Sequence, residues 1–180
     1  MRGGIGYIEE FATSRLLRDA HLGSIWEGTG NIVAIDALQR AVGRHGADAA
    51  LAADLHARLD DSTGVPQAWR ARLRDLADRA IGFARGVAGR TDNEADARRA
   101  TSLLYHVASA VALAWEGGRI HEMRGDARRL LLSRLVVDHR LSANDPFRLT
   151  ENAAQREITD HLLGERAVGM VKVGELLTAA

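Results

Sequence analysis

The chain has 180 residues, of which 46% are hydrophobic and 27% charged, ordinary proportions for a globular protein with one sizeable core or two small ones. Its 24 basic and 24 acidic residues give a formal net charge of zero, so no overall field favours nucleic acid or an anionic membrane. With no cysteine, the sequence excludes a disulfide framework, a thiol nucleophile and a cysteine-bound metal.

The composition predicts an almost entirely helical protein. It contains two prolines and few aromatic residues, whereas alanine, leucine and arginine, which lose little rotamer freedom in a helix, are abundant. The first residues lack the apolar core of a secretory signal, and the uncharged stretch 101–115 is too short to span a bilayer. We therefore expect a cytoplasmic protein with no membrane partner.

In chain order, residues 11–22 carry a partial helical pattern that Gly23 can end. Thr29 or Asn31 can cap the next helix, whose broad apolar stripe runs to residue 43. Glycines then interrupt the pattern. We place a domain boundary here, with one domain over residues 1–43 and an additional helical domain over residues 44–180.

The additional domain is predicted to be an up-and-down helical bundle. Residues 47–59 indicate a short alanine-rich helix, and Pro66 begins another. That second helix carries an apolar seam at spacings of three and four, typical of lengthwise packing. The seam consists of Trp69, Leu73, Leu76, Ala80, Phe83 and Val87.

A capping box over residues 91–94 predicts the start of a further helix. This helix is apolar on nearly every side up to residue 115, which places it at the centre of the bundle, and Gly117 and Gly118 are expected to end it. Two more helices are predicted over residues 126–141 and 150–163. The pattern after residue 166 fits no single element.

One acid stands out from these scaffold patterns. Glu27 lies in a glycine-flanked turn, after Ile25 and Trp26 and before residues suited to close backbone approach. A catalytic carboxylate is one interpretation of this turn. A helix-capping turn with an incidental acid is the other.

Three ordered motifs surround Glu27. They are Gly-Gly-Ile-Gly-Tyr at 3–7, Arg-Leu-Leu-Arg-Asp-Ala at 15–20 and Glu-Gly-Thr at 27–29. Together they resemble the acyl-CoA dehydrogenase family over residues 3–42. Because a tryptophan, Trp26, stands directly before the glutamate, the segment resembles the longer branch of the family, which includes the bacterial alkylation-response flavoproteins. The resemblance implies an all-α fold, with family-like C-terminal helices followed by an additional helical region.

The resemblance also implies a reaction. Members dehydrogenate an acyl-CoA thioester between its second and third carbons, as in fatty acid metabolism, using a glutamate base and FAD as hydride acceptor. Glu27 matches the base. Trp26 and Gly28 would then shape the acyl pocket and permit close approach.

FAD is the implied cofactor. Glycine-rich turns and helix starts concentrate backbone amides, which suits a pyrophosphate. The resemblance implies that Gly3 and Gly4 reach the pyrophosphate of a neighbouring subunit's FAD, and that Thr29 and Asn31 lie along the FAD of their own subunit. It further implies a homo-oligomer formed through C-terminal helices.

The family builds its site from three domains, and this chain begins inside the third. We therefore expect a C-terminal portion that binds FAD poorly and is inactive in isolation. Either it is a truncated product, which is the favoured interpretation, or a separate polypeptide completes it.

Two other functions are compatible with the bundle. A DNA-binding module is suggested by a basic stretch that Glu122, Asp126 and Asp138 interrupt, so it is not favoured. The stretch contains Arg119, Arg124, Arg128, Arg129, Arg134 and Arg140. A purely structural oligomerisation fragment is the other function. No metal site is predicted, because His121 lacks a second histidine four residues on and Asp138 and His139 fit a solvated helix face.

Overall fold

The computed structural model describes residues 3–23, 25–26, 29–90, 94–143 and 153–179. Within these ranges the chain forms helices and no strand, which confirms the predicted all-α bundle. A short 3-10 helix, Gly3–Gly6, precedes α1, Ala12–Leu22. Helix α2, Gly30–Asp36, continues directly into a π-helical segment, Ala37–Arg44.

Six further helices follow. Helices α3, Ala47–Asp61, and α4, Gln67–Ala88, are followed by the long α5, Glu94–Arg124. Helix α6, Arg128–Val136, continues into a second π-helical segment, Val137–Leu141. Helices α7, Ala153–Leu163, and α8, Met170–Thr178, complete the described chain. Residues 91–93 of the predicted capping box and residues 150–152 of the predicted seventh helix lie outside the described ranges.

Helix α5 lies at the centre of the bundle and packs against α2, α3, α4 and α6, as its all-round apolar pattern predicted. The seam of α4 faces this core, with Trp69 and Leu73 buried. The indole Nε1 of Trp69 donates to Ser133 Oγ at 3.2 Å, and Ser133 Oγ donates to the carbonyl of Ala110 at 2.8 Å. These buried polar groups are therefore satisfied, and their bonds join α4, α5 and α6.

The predicted end of α5 at Gly117 and Gly118 is wrong. The helix continues to Arg124, and both glycines are buried inside it. A Cβ on Gly117 would lie 2.2 Å from Leu130 Cδ1, and one on Gly118 would lie 3.0 Å from Val65 Cγ2. The absent side chains thus permit close packing of neighbouring segments and do not end the helix.

The tail that fitted no single element forms α8. Its side chains Val173, Leu176 and Leu177 are buried in the main core, and the helix packs against α6. A second, smaller core joins Ala34 and Leu38 to apolar residues of α4 and α5. Among the residues that the structure describes, no helix has the length and apolar character to cross a bilayer. The domain boundary after residue 43 stays a prediction.

Candidate functional site

The first motif forms an open turn. Gly3 adopts a φ of +54°, a left-handed conformation that favours glycine, and the carbonyl of Gly4 accepts hydrogen bonds from the amides of Tyr7 and Ile8 at 3.0 and 3.2 Å. Thr13 Oγ1 donates to the carbonyl of Ile5 at 3.0 Å, which ties the turn to α1. A Cβ on Gly3 or Gly4 would meet no atom within 4 Å. The backbone here is therefore open to an outside group.

An exposed ion pair joins the second motif to the segment that follows the first motif. Arg18 Nη2 donates to Glu9 Oε2 at 3.0 Å, and Arg18 Nη1 contacts Glu9 Oε1. The hydrogen bond from Arg18 lowers the pKa of the Glu9 carboxyl. Arg18 therefore serves the local structure here.

Glu27 and Gly28, the predicted base and its neighbour, lie outside the described residues. The residues before them form a turn, in which the amides of Ile25 and Trp26 both donate to the carbonyl of Leu22 at 3.0 Å. The Trp26 side chain is 77% exposed. Among the described residues, then, this indole lines no closed acyl pocket.

The predicted FAD-contacting residues of α2 lie at an exposed helix start. Thr29 occupies the cap position with extended backbone, and its carbonyl accepts from the amide of Val33 at 3.1 Å. Its side chain makes no capping hydrogen bond, contrary to the predicted cap. The amides of Gly30, Asn31 and Ile32 precede the first helical bond, so they fit an anionic group such as a pyrophosphate.

Residues 3–33 expose an unusual amount of apolar surface, which we call the N-terminal face. Among the described residues of this range, Ser14 has the one buried side chain. Eleven large hydrophobic residues are exposed: Ile5, Tyr7, Ile8, Phe11, Leu16, Leu17, Leu22, Ile25, Trp26, Ile32 and Val33. A surface of this kind is typical of a protein interaction site. The helical patterns of residues 11–22 and of the apolar stripe before residue 43 predict apolar sides for two helices, but such a pattern does not tell whether those sides pack within the chain or stay exposed.

The basic stretch of the bundle is largely neutralised by acids. Arg119 lies 3.6 Å from Asp61, Arg128 lies 2.8 Å from Asp126, and Arg129 lies 2.5 Å from Glu116. Arg134 is itself buried. Asp61 belongs to another helix and Glu116 lies outside the basic stretch, so the local sequence does not reveal either pairing. The clustered cationic face that duplex DNA requires is therefore weakened further.

The described residues contain no group of three or more His, Asp or Glu side chains able to hold a metal ion. Asp138, which precedes His139, accepts a hydrogen bond from Arg134 Nε at 3.0 Å and lies 3.8 Å from Arg72 Nη2. Its charge is thus engaged by arginines.

Comparison with known proteins gives one short similarity. A segment of 37 residues is 54% identical to a putative acyl-CoA dehydrogenase, AidB, of Escherichia coli strain K12. The match covers 21% of this chain and 7% of that relative. No protein-family profile matches the chain, and no solved structure matches it. The similarity supports the acyl-CoA dehydrogenase family and does not extend to a branch or to catalytic detail.

Proposed function

We propose that the chain is the C-terminal portion of an FAD-dependent acyl-CoA dehydrogenase of the longer branch, with Glu27 as its base. The observation that carries this proposal is the segment 54% identical to a putative acyl-CoA dehydrogenase, together with the three motifs of residues 3–29. Helices α3 to α8 would be the additional helical region of that branch. Activity, substrate and cofactor are proposals, because the match spans 7% of the relative.

Glu27 would remove the proton on the carbon next to the thioester carbonyl. A carboxylate with an ordinary pKa of about 4.3 is a weak base for such a proton. Proximity, exclusion of water and an activated thioester carbonyl must therefore lower the barrier together. FAD, when bound, supplies the acceptor for the hydride that leaves the third carbon.

The other residues of the segment would bind and position. The open backbone of Gly3 and Gly4 and the uncapped amides after Thr29 suit the negative charge of a pyrophosphate. Asn31 would lie along the same cofactor. Trp26 would form a wall of the acyl pocket once another domain covers its exposed indole, and Gly28 would allow close approach of substrate.

The N-terminal face supports a division of the site between this chain and further domains. An apolar surface of this kind is stabilised when another surface covers it. We infer that the isolated chain binds FAD poorly, oxidises no acyl-CoA, and self-associates through this face. Self-association is also expected for the second candidate function, that of a purely structural oligomerisation fragment.

The test is to replace, in the E. coli relative, the matching segment and everything after it with this chain, which gives a fusion of the two proteins. The fusion should bind FAD, and its flavin absorbance should bleach when an acyl-CoA is added. Glu27→Gln should retain FAD and lose bleaching, because the amide cannot accept the proton. Glu10→Gln, which removes another acid of the same segment, is the matched control and should bleach normally.

Two results would contradict the proposal. A Glu27→Gln fusion that bleaches at the normal rate would remove the assignment of the base. The isolated chain, purified with one flavin per molecule and bleached by an acyl-CoA, would show that no further domain is required.

A further inference from the structure

A groove on the bundle lies apart from the N-terminal face and plays no part in the proposed reaction. It is an open depression of about 650 Å³ between α5 and the segment formed by α6 and its π-helical continuation. Its lining includes Tyr105, His106, Glu116, Arg129, Val136 and Arg140. Val136 and Arg140 are four residues apart, so both face the groove from one side of the helical segment.

The acids near this groove are already paired. Glu116 Oε2 lies 2.5 Å from Arg129 Nη1, so these two lining charges offset each other. Asp138, on the same π-helical segment as Arg140, is engaged by Arg134 and Arg72. Arg140 is exposed and makes no ion pair with any residue in the described part of the chain. The groove therefore carries the guanidinium of Arg140, which no carboxylate of the described residues neutralises.

His106 lies beside this uncompensated charge. Its ring meets the Tyr105 ring edge to face, with 5.2 Å between centroids. Burial lowers the pKa of His106, and the positive charge of Arg140 lowers it further. Both effects oppose protonation, and an anion between the two groups would reverse the second.

We propose that this groove binds a phosphate monoester dianion, held by Arg140 and by protonated His106. A guanidinium matches phosphate geometry through paired N–H donors, and a second cationic donor suits the second negative charge. The Tyr105 ring gives the site an aromatic wall for the organic part of the ligand. This inference is independent of the acyl-CoA reaction.

The test follows the histidine ring signals by NMR while inorganic phosphate replaces chloride at constant ionic strength. The other six of the seven histidines are the control, because a general effect of the ions would shift the ring signals of all seven alike. We expect the His106 signal alone to move saturably and its pKa to rise. Arg140→Gln should weaken phosphate binding at least about tenfold, the cost of one charge-assisted hydrogen bond.

Arg124→Gln is the matched control, since Arg124 is an exposed arginine of α5 outside the groove lining, and it should bind phosphate as the unaltered chain does. A short DNA duplex at the same phosphate concentration should leave His106 unchanged, because a phosphodiester carries one charge. The proposal is overturned if His106 does not respond to phosphate, if Arg140→Gln binds phosphate with unaltered affinity, or if DNA produces the same response.

Discussion

In the described part of residues 34–179, Leu73, Val107 and Leu130 are completely buried, whereas in residues 3–33 Tyr7 and Trp26 are more than three-quarters exposed. The two regions differ less in apolar content than in what their apolar side chains pack against. The apolar side chains of the bundle pack against one another within the chain, mainly between α4, α5 and α6. Helix α1 packs chiefly against the short 3-10 helix.

This contrast separates stability from function. Because burial of apolar surface is the main stabilising contribution to folding, the bundle supplies most of the free energy of unfolding. The motifs that point to acyl-CoA dehydrogenation lie in the exposed region. The segment with the proposed chemistry is thus the one whose apolar side chains are mostly exposed, and mutations should affect the two properties separately.

One leucine-to-alanine change in each region gives the sharpest form of this comparison. Leu73→Ala, at a fully buried position, should lower the free energy of unfolding by about 2–5 kcal/mol, because it leaves a cavity in the core. Leu17→Ala, at a side chain 59% exposed, should change it by less than about 0.5 kcal/mol. Urea denaturation followed by circular dichroism measures both. Equal losses would show that α1 is part of the core.

The glycines of the bundle allow a second matched pair. Gly117→Ala should cost about 1–3 kcal/mol, because its Cβ would lie 2.2 Å from Leu130 Cδ1 and 3.0 Å from the Leu130 amide nitrogen. Gly82→Ala, which meets nothing within 4 Å in α4, should stabilise the chain by about 0.5–1 kcal/mol. Thermal unfolding of the two variants is the measurement. A stabilised Gly117→Ala would mean that α5 and α6 do not approach closely.

Gly117 also marks where prediction from sequence failed. Helical periodicity predicted the seam of α4, because one-sided burial imposes a repeat on neighbouring residues, and the apolar character of α5 on nearly every side predicted its central place. Gly23 and Gly89 do follow the ends of helices, as local rules expect. Gly117 has the same local signature, but its role depends on Leu130, which packs on it from another helix. A single-residue pattern does not encode that contact.

The candidate site was predictable only in part. Its residues could be selected from ordered motifs, because each motif combines glycines or charges at fixed positions. The exposure of Leu16 and Leu17 could not be predicted, since a helical apolar pattern is the same whether a second surface lies within the chain or outside it. For the same reason, the pairing of Arg119 with Asp61 appeared only when α3 and α5 were placed side by side.

Replacing a partly buried charged residue of the bundle, Asp126, should have a smaller effect on the free energy of unfolding, and this effect should depend on pH. The hydrogen bond from Arg128, aided by the amides of Val168 and Arg128, lowers the pKa of Asp126. A lowered folded-state pKa stabilises the chain above the unfolded value of about 3.9, and this contribution is lost as pH falls through the folded value. Asp126→Asn should therefore cost about 1 kcal/mol at pH 7.

The cost of Asp126→Asn should shrink as pH falls below about 4, and urea denaturation at several pH values measures it. Asp75→Asn is the control, because the pair of Asp75 with Arg79 is exposed and spans 3.5 Å. Its substitution should leave stability unchanged within error. A difference between Asp126→Asn and the parent chain that does not shrink as pH falls below about 4 would contradict the assigned role of the charge.

The smallest effect on folding is expected for a substitution of Trp26. This substitution also tests most directly whether the N-terminal face serves association and not stability. Trp26→Ala should change the free energy of unfolding by less than about 0.5 kcal/mol, because the indole has little contact to lose. Self-association should nevertheless weaken by at least about tenfold, since aromatic side chains at the centre of an interface contribute most of its binding energy. Sedimentation velocity at micromolar concentration measures this change. Tyr105→Ala, an exposed aromatic of the bundle, should leave association intact. If the parent chain is already a monomer, or if both variants dissociate alike, the N-terminal face is not the contact between copies.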